Sequence, residues 1–160
     1  MIINNHRVKI IYLIEFLERA AYYIFLASFV FLMTQENGMD QESAFSLYGT
    51  MMSLFYATPI LGGILADRKI GYYKAVVLGS CGLFVGYALL AGLPGKTLFF
   101  ALAALSIGHG LYKPGLMAVF ANSLAAEGRD TAFVIFFGVI NLAGGLAGGT
   151  ASWLSARGGP

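Results

Sequence analysis

Residues Glu15–Tyr23 read EFLERAAYY, and they interrupt a stretch that is otherwise lipid-soluble. Carboxylates, a guanidinium and phenols stand where hydrocarbon is expected. Their spacing orders them. Glu15, Glu18, Arg19, Tyr22 and Tyr23 fall at i, i+3, i+4, i+7 and i+8, which is one face of an α-helix. The fold follows from what surrounds that face.

The chain has 160 residues, of which 58% are hydrophobic and only 11% charged. A soluble domain carries about 25% charged residues, so the composition reads as a membrane protein. The net charge of +2 and the lack of a basic run argue against a nucleic-acid partner. The single cysteine, Cys81, excludes an internal disulfide and a cysteine metal site. Neither a metal nor another cofactor is expected.

Five apolar stretches, 8–33, 43–66, 73–93, 97–124 and 131–154, are each long enough to cross a bilayer. A crossing of ~30 Å needs about 20 helical residues. Helices are expected because each satisfies its own backbone in lipid. The period-2 alternation of a membrane barrel is absent. The connections are short: TQENGMDQE (34–42), DRKIGY (67–72), PGK (94–96) and AAEGRD (125–130). The first stretch is no signal peptide, since charges interrupt it and no small-residue cleavage site follows promptly.

Orientation follows from the basic residues. Arg7, Lys9, Arg68, Lys69, Lys74 and Arg129 fall on the amino-terminal side. Lys96 and Arg157 fall on the other, whose first loop is acidic through Glu36, Asp40 and Glu42. The positive-inside rule then makes the amino terminus cytoplasmic. With five crossings the carboxy terminus lies outside, and Trp153 near the outer surface.

Arg19 and Lys113 remain, both within apolar stretches together with Glu15 and Glu18. A charge at the bilayer centre costs ~2.5–3.5 kcal/mol, so four isolated charges would cost roughly 10 kcal/mol. Pairing in a neutral set lowers that cost. Arg19 lies ten residues past Lys9, and Asn141 ten past Thr131; Lys113 lies ten before Ser123, and Tyr56 ten before Ala66. Each is thus expected about 15 Å from the cytoplasmic boundary. Such groups could serve only to assemble helices. Two carboxylates, two cations, two phenols and an amide at one depth favour a binding layer, since transporters bind substrate near the midplane.

These residues carry a resemblance. EFLERAAYY is similar to the ExxERFxYY motif of the proton-dependent oligopeptide transporters, a branch of the major facilitator superfamily, with Ala20 in place of Phe. GGILADRKIGYYKAV (62–76) resembles the family's loop between helices two and three, with Ala75 for a usual Thr. GHGLYKPGL (108–116) resembles its GxGxxKP motif, and RDTAFVIFFGVINLAGG (129–145) its helix-five signature, with Gly138 and Ala143 departing from it. The four motifs occur in order over nearly the whole chain. The resemblance implies an all-α, polytopic helix bundle of the major facilitator type. Family members have twelve or more helices in two halves. Residues 1–160 are therefore expected to be a partial amino-terminal bundle lacking helix six and a carboxy-terminal partner bundle.

The resemblance also implies roles. Glu15 and Glu18 couple transport to protons. Arg19 and Lys113 engage the peptide carboxylate and exchange salt bridges with those glutamates. Tyr22, Tyr23 and Tyr56 line the peptide site, and Asn141 lies near the peptide's amino end. Asp67, Arg68 and Gly71 form a gating loop, whose plainer reading is a tight positive-inside turn. The expected function is proton-coupled symport of di- and tripeptides across the cytoplasmic membrane. Another small anionic or zwitterionic solute, such as an amino acid or nitrate, is the alternative. Others are a peptide sensor that moves nothing and an inactive assembly fragment. No catalytic set stands out, so an enzyme is not expected.

Pro114 removes a backbone donor beside Lys113 and is read as a bend or hinge. His109, one turn before Lys113, reads as a packing histidine sooner than a proton relay. His6 reads as part of a solvated terminus. Gly144, Gly145, Gly148 and Gly149 read as small-xxx-small pairs for close helix packing.

Overall fold

A computed structural model of the chain describes the backbone of residues 6–92 and 97–157, and side chains up to residue 149. Five long helices run through the described residues: α1 His6–Phe31, α2 Gln41–Leu65, α3 Tyr72–Gly92, α4 Leu98–Asn122 and α5 Arg129–Arg157. The connection 94–96 with Lys96, and the side chains of Trp153 and Arg157, lie outside the described residues.

Two expected loops are partly helical. α1 continues into a π-helical turn, Leu32–Glu36, and α2 into another, Ala66–Ile70. The first takes up Thr34–Glu36 of the expected acidic loop, because Asn37 closes the wide turn. Its backbone N–H and its Nδ2 both donate to the Leu32 carbonyl, at 3.2 and 2.9 Å. In the second, the Gly71 N–H donates to the Ala66 carbonyl at 2.9 Å, and Gly71 leaves with φ 78°. That left-handed φ suits glycine. Between these turns, Asp40 caps α2 by accepting from the Ser43 N–H at 2.9 Å.

Four of the helices, counted with their π turns, are long and apolar enough to cross a membrane: His6–Glu36, Gln41–Ile70, Tyr72–Gly92 and Arg129–Gly149. α4 also has the length of a crossing, at 25 residues, and carries Ser106, His109, Lys113 and Pro114 within its apolar run. It is also heavily buried, from Leu98 through Ala101, Leu105, His109, Tyr112 and Leu116.

The chain forms two compact units. The first holds α1 as far as Phe29 and the chain from Phe120 onward. In it, α1 buries a single stripe: Val8, Ile11, Glu15, Arg19, Tyr22, Phe25 and Phe29. The Tyr12 hydroxyl donates to the Ala132 carbonyl of α5 at 3.0 Å. Around that bond Phe120 stacks on Phe136, ring centroids 4.7 Å apart, with Tyr12 tilted 5.6 Å from Phe120. Further along, a Cβ on Gly144 would lie 3.1 Å from the Tyr23 ring. The partners Tyr12–Ala132 and Tyr23–Gly144 advance together along both chains, so α1 and α5 run parallel.

The second unit, residues 30–119, is built on backbone approach at glycines. Gly79, Gly82 and Gly86 of α3 meet Tyr112, Gly108 and Leu105 of α4, which is an antiparallel pairing. α2 crosses α4 where a Cβ on Gly62 would collide with the Gly110 carbonyl oxygen. Pro114 lacks the N–H that would bond this carbonyl within the helix. The Thr58 hydroxyl ties the same crossing, 2.9 Å from the Ser106 carbonyl. The glycines picked from sequence behave otherwise. Gly144 meets Tyr23, but a Cβ on Gly145, Gly148 or Gly149 would have nothing within 4 Å among the described residues.

Candidate functional site

The site is built from α1 upward. Its helical period places Glu15, Glu18, Arg19 and Tyr22 close enough to interact without any other element. Arg19 forks onto Glu18, Nε to Oε2 at 2.6 Å and an Nη to Oε1 at 2.7 Å. Glu15 stands further off, 3.7 Å from the same Nε. Neighbouring helical residues normally point apart, yet the long arginine side chain turns back on its neighbour and prefers it to the i−4 partner. Bidentate ionic bonds of this geometry are roughly twice as strong as neutral ones. Glu15 is fully buried and Arg19 only 7% exposed. A buried guanidinium therefore sits between two carboxylates, leaving this stretch of α1 one negative charge in excess.

Tyr22 adds a contact that the sequence reading missed. The Arg19 Cζ lies 4.3 Å from the centre of its ring, and Tyr22 is itself buried. The i, i+3 spacing of an arginine and an aromatic was the available signal. Tyr23 meets Tyr22 edge-on at 5.4 Å. The parallel register with α5 sets Asn141 level with residues 20–21, so its axial offset from Arg19 is ~2–3 Å. Asn141 is exposed, and its Nδ2 donates to the Phe137 carbonyl at 2.9 Å.

In the second unit Lys113 is half-buried on α4, directly before Pro114. Contacts between α2, which bears Tyr56, and α4 pair Phe55 with His109, Thr58 with Ser106 and Gly63 with Pro114. Tyr56 is 75% exposed. His109 is buried, with its ring 4.7 Å from that of Phe55. Asp67 and Arg68 are exposed in the π turn before Gly71. Among the described residues no three His, Cys, Asp or Glu side chains are grouped to hold a metal.

Residues 11–160 match the Major Facilitator Superfamily. The chain belongs to that superfamily. Within it, the dipeptide and tripeptide permease A of Salmonella typhimurium is 27% identical over 152 residues, 92% of this chain and 30% of the permease. The dipeptide and tripeptide permease B of Photorhabdus asymbiotica is 29% identical over 136 residues, 82% of this chain and 28% of that protein. A solved peptide transporter in complex with alafosfalin superposes with a TM-score of 0.83 at 32% identity, covering 88% of this chain and 30% of that one. A solved transporter of the proton-dependent oligopeptide family in complex with 5-aminolevulinic acid gives 0.80 at 28% identity, covering 85% and 30%. The chain spans about three-tenths of the length of these relatives. With its membrane-length helices, it is an integral membrane helix bundle of the major facilitator type, similar to peptide transporters.

Proposed function

We propose that the chain is part of a proton-coupled symporter of di- and tripeptides in the cytoplasmic membrane, its amino terminus cytoplasmic. Its further partners are the bilayer, protons and a second helix bundle. The observation that carries this reading is the buried fork of Arg19 on Glu18, with Glu15 beside it. A peptide carboxylate that takes the guanidinium removes the two bonds that Arg19 gives Glu18. Burial disfavours a carboxylate that has lost such bonds, so Glu18 then takes up a proton. Peptide and proton binding thereby favour each other, and the linkage is reciprocal. Lys113 supplies a second cation for the carboxylate. Tyr22, Tyr23, Tyr56 and Asn141 take substrate-binding roles. Glu15 shares the proton-coupling role, and Asp67, Arg68 and Gly71 serve the gate. Rocking of two helix bundles then exposes the site to either side.

The relatives' names support peptides over other solutes, and 5-aminolevulinic acid on one of them marks small zwitterions as the competing class. The test is uptake by the complete transporter in proteoliposomes under an inward acid gradient. Labelled dialanine should accumulate, and a protonophore should abolish accumulation. Accumulation of an amino acid or nitrate without dialanine would reject peptides. Saturable binding without uptake would make the protein a sensor.

A further inference from the structure

We propose that Tyr22 is a positioning residue whose ring holds the Arg19 guanidinium by its face, leaving the edge free to exchange one carboxylate for another. This rests on Arg19 being a carboxylate site. The five N–H donors of a guanidinium lie in its plane. Glu18 uses that plane, taking Nε and one Nη. Tyr22 meets the group at its central carbon, with the Arg19 Cζ over the ring and 4.3 Å from its centre. The two partners do not compete. When Glu18 lets go, the ring remains.

The contact is also local. Arg19 and Tyr22 are three residues apart on α1, so their approach depends on the helix and not on any movement of bundles. The ring is braced in turn. Tyr23 meets it edge-on at 5.4 Å, and Tyr23 lies against α5 at Gly144, where a Cβ would approach to 3.1 Å. Gly144, Tyr23, Tyr22, Arg19 and Glu18 form one continuous chain of contacts. It explains why phenols follow the charges at i+3 and i+4 from Arg19, and why only a small residue suits position 144. Tyr22 therefore acts on a peptide through Arg19, keeping the cation in place during the step in which its carboxylate changes.

The test separates the ring face from the hydroxyl. Position 22 of the complete transporter is replaced by Phe and by Phe carrying one, two and three ring fluorines, which draw electron density from the face with little change in volume. Dipeptide affinity is measured in nanodiscs, with a dipeptide amide as the ligand that lacks a carboxylate. Tyr22→Phe is the reference for the series, and any loss it causes should fall equally on the dipeptide and the amide. The fluorinated series should weaken the dipeptide stepwise, on the order of tenfold in all, and leave the amide unchanged. A flat series with wild-type binding intact overturns the inference alone. So does a loss on Tyr22→Phe that falls on the dipeptide alone, which would give the role to the hydroxyl. A wild type that binds no dipeptide overturns the peptide reading and this inference with it.

Discussion

The carbonyl oxygen of Gly110 occupies the place where a side chain on Gly62 would begin. α2 and α4 touch backbone to backbone at that point. Gly62→Ala should therefore force the helices apart, since the obstacle is rigid backbone. Overpacking of this kind costs ~1–3 kcal/mol. Gly63→Ala, one residue on, would meet only the Pro114 Cβ at 3.6 Å, an ordinary contact. Thermal unfolding of the purified protein should show a lowered midpoint for the first variant and an unchanged one for the second. Equal midpoints would mean that the crossing is looser than this geometry.

The glycines also mark where sequence reading stops. Five helices and the charged stripe were legible because each depends on the chain alone: apolar length gives a span, and helical period turns Glu15, Glu18, Arg19 and Tyr22 into one face. Which glycine meets a neighbour depends on how helices cross. Gly144, Gly145, Gly148 and Gly149 had the favoured spacing, and Gly144 does meet Tyr23 at 3.1 Å, yet the approaches of 3.0 Å or less fall at Gly62, Gly79, Gly82, Gly86, Gly108 and Gly110. The π turn that carries α2 on to Ile70 was hidden for a related reason, since it is closed by a backbone bond from Gly71 to Ala66.

Asp40 gives a pH-dependent prediction outside the membrane. Its bond from the Ser43 N–H holds the carboxyl below its usual 3.8. A depressed acid stabilises the fold above its unfolded value, and the contribution disappears as pH falls through the folded one. The start of α2 should therefore fray in acid below 3.8 and not at neutral pH. Asp40→Asn keeps an acceptor and should abolish this acid dependence, whereas Asp40→Ala should fray α2 at every pH. Amide exchange at Ser43 reads all three. Identical exchange in the wild type and Asp40→Ala would show that the cap is idle.

Glu18→Gln addresses coupling. An amide offers one acceptor where the carboxylate offers two, and it cannot gain or lose the proton. In proteoliposomes of the complete transporter, acid-driven accumulation of dialanine should fall to background. Exchange of labelled for unlabelled dialanine should persist, because Arg19 remains to bind the peptide. Normal accumulation by the variant would remove Glu18 from proton coupling and leave Glu15 to carry it.

Lys113→Ala should damage transport while sparing insertion. α4 carries Lys113 within a 25-residue, mostly apolar helix. Replacing a lysine there raises its apolarity, and a central lysine disfavours insertion by ~2.5–3.5 kcal/mol. Membrane yield should accordingly be equal or higher. Transport depends on a different balance. Glu15 and Glu18 carry two negative charges against the single positive charge of Arg19, so this stretch of α1 does not neutralise itself. Lys113 is the remaining intramembrane cation. Without it, one glutamate should hold a proton throughout the cycle, and proton binding could no longer drive accumulation. A peptide carboxylate would also lose one of its two cations. The expected result is wild-type yield, weaker dipeptide affinity and acid-driven uptake reduced to background. Lys113→Arg, which keeps the charge but changes its shape, should recover part of the uptake. Wild-type uptake by Lys113→Ala would make the lysine a packing residue of α4 and leave Arg19 as the cation that binds peptide.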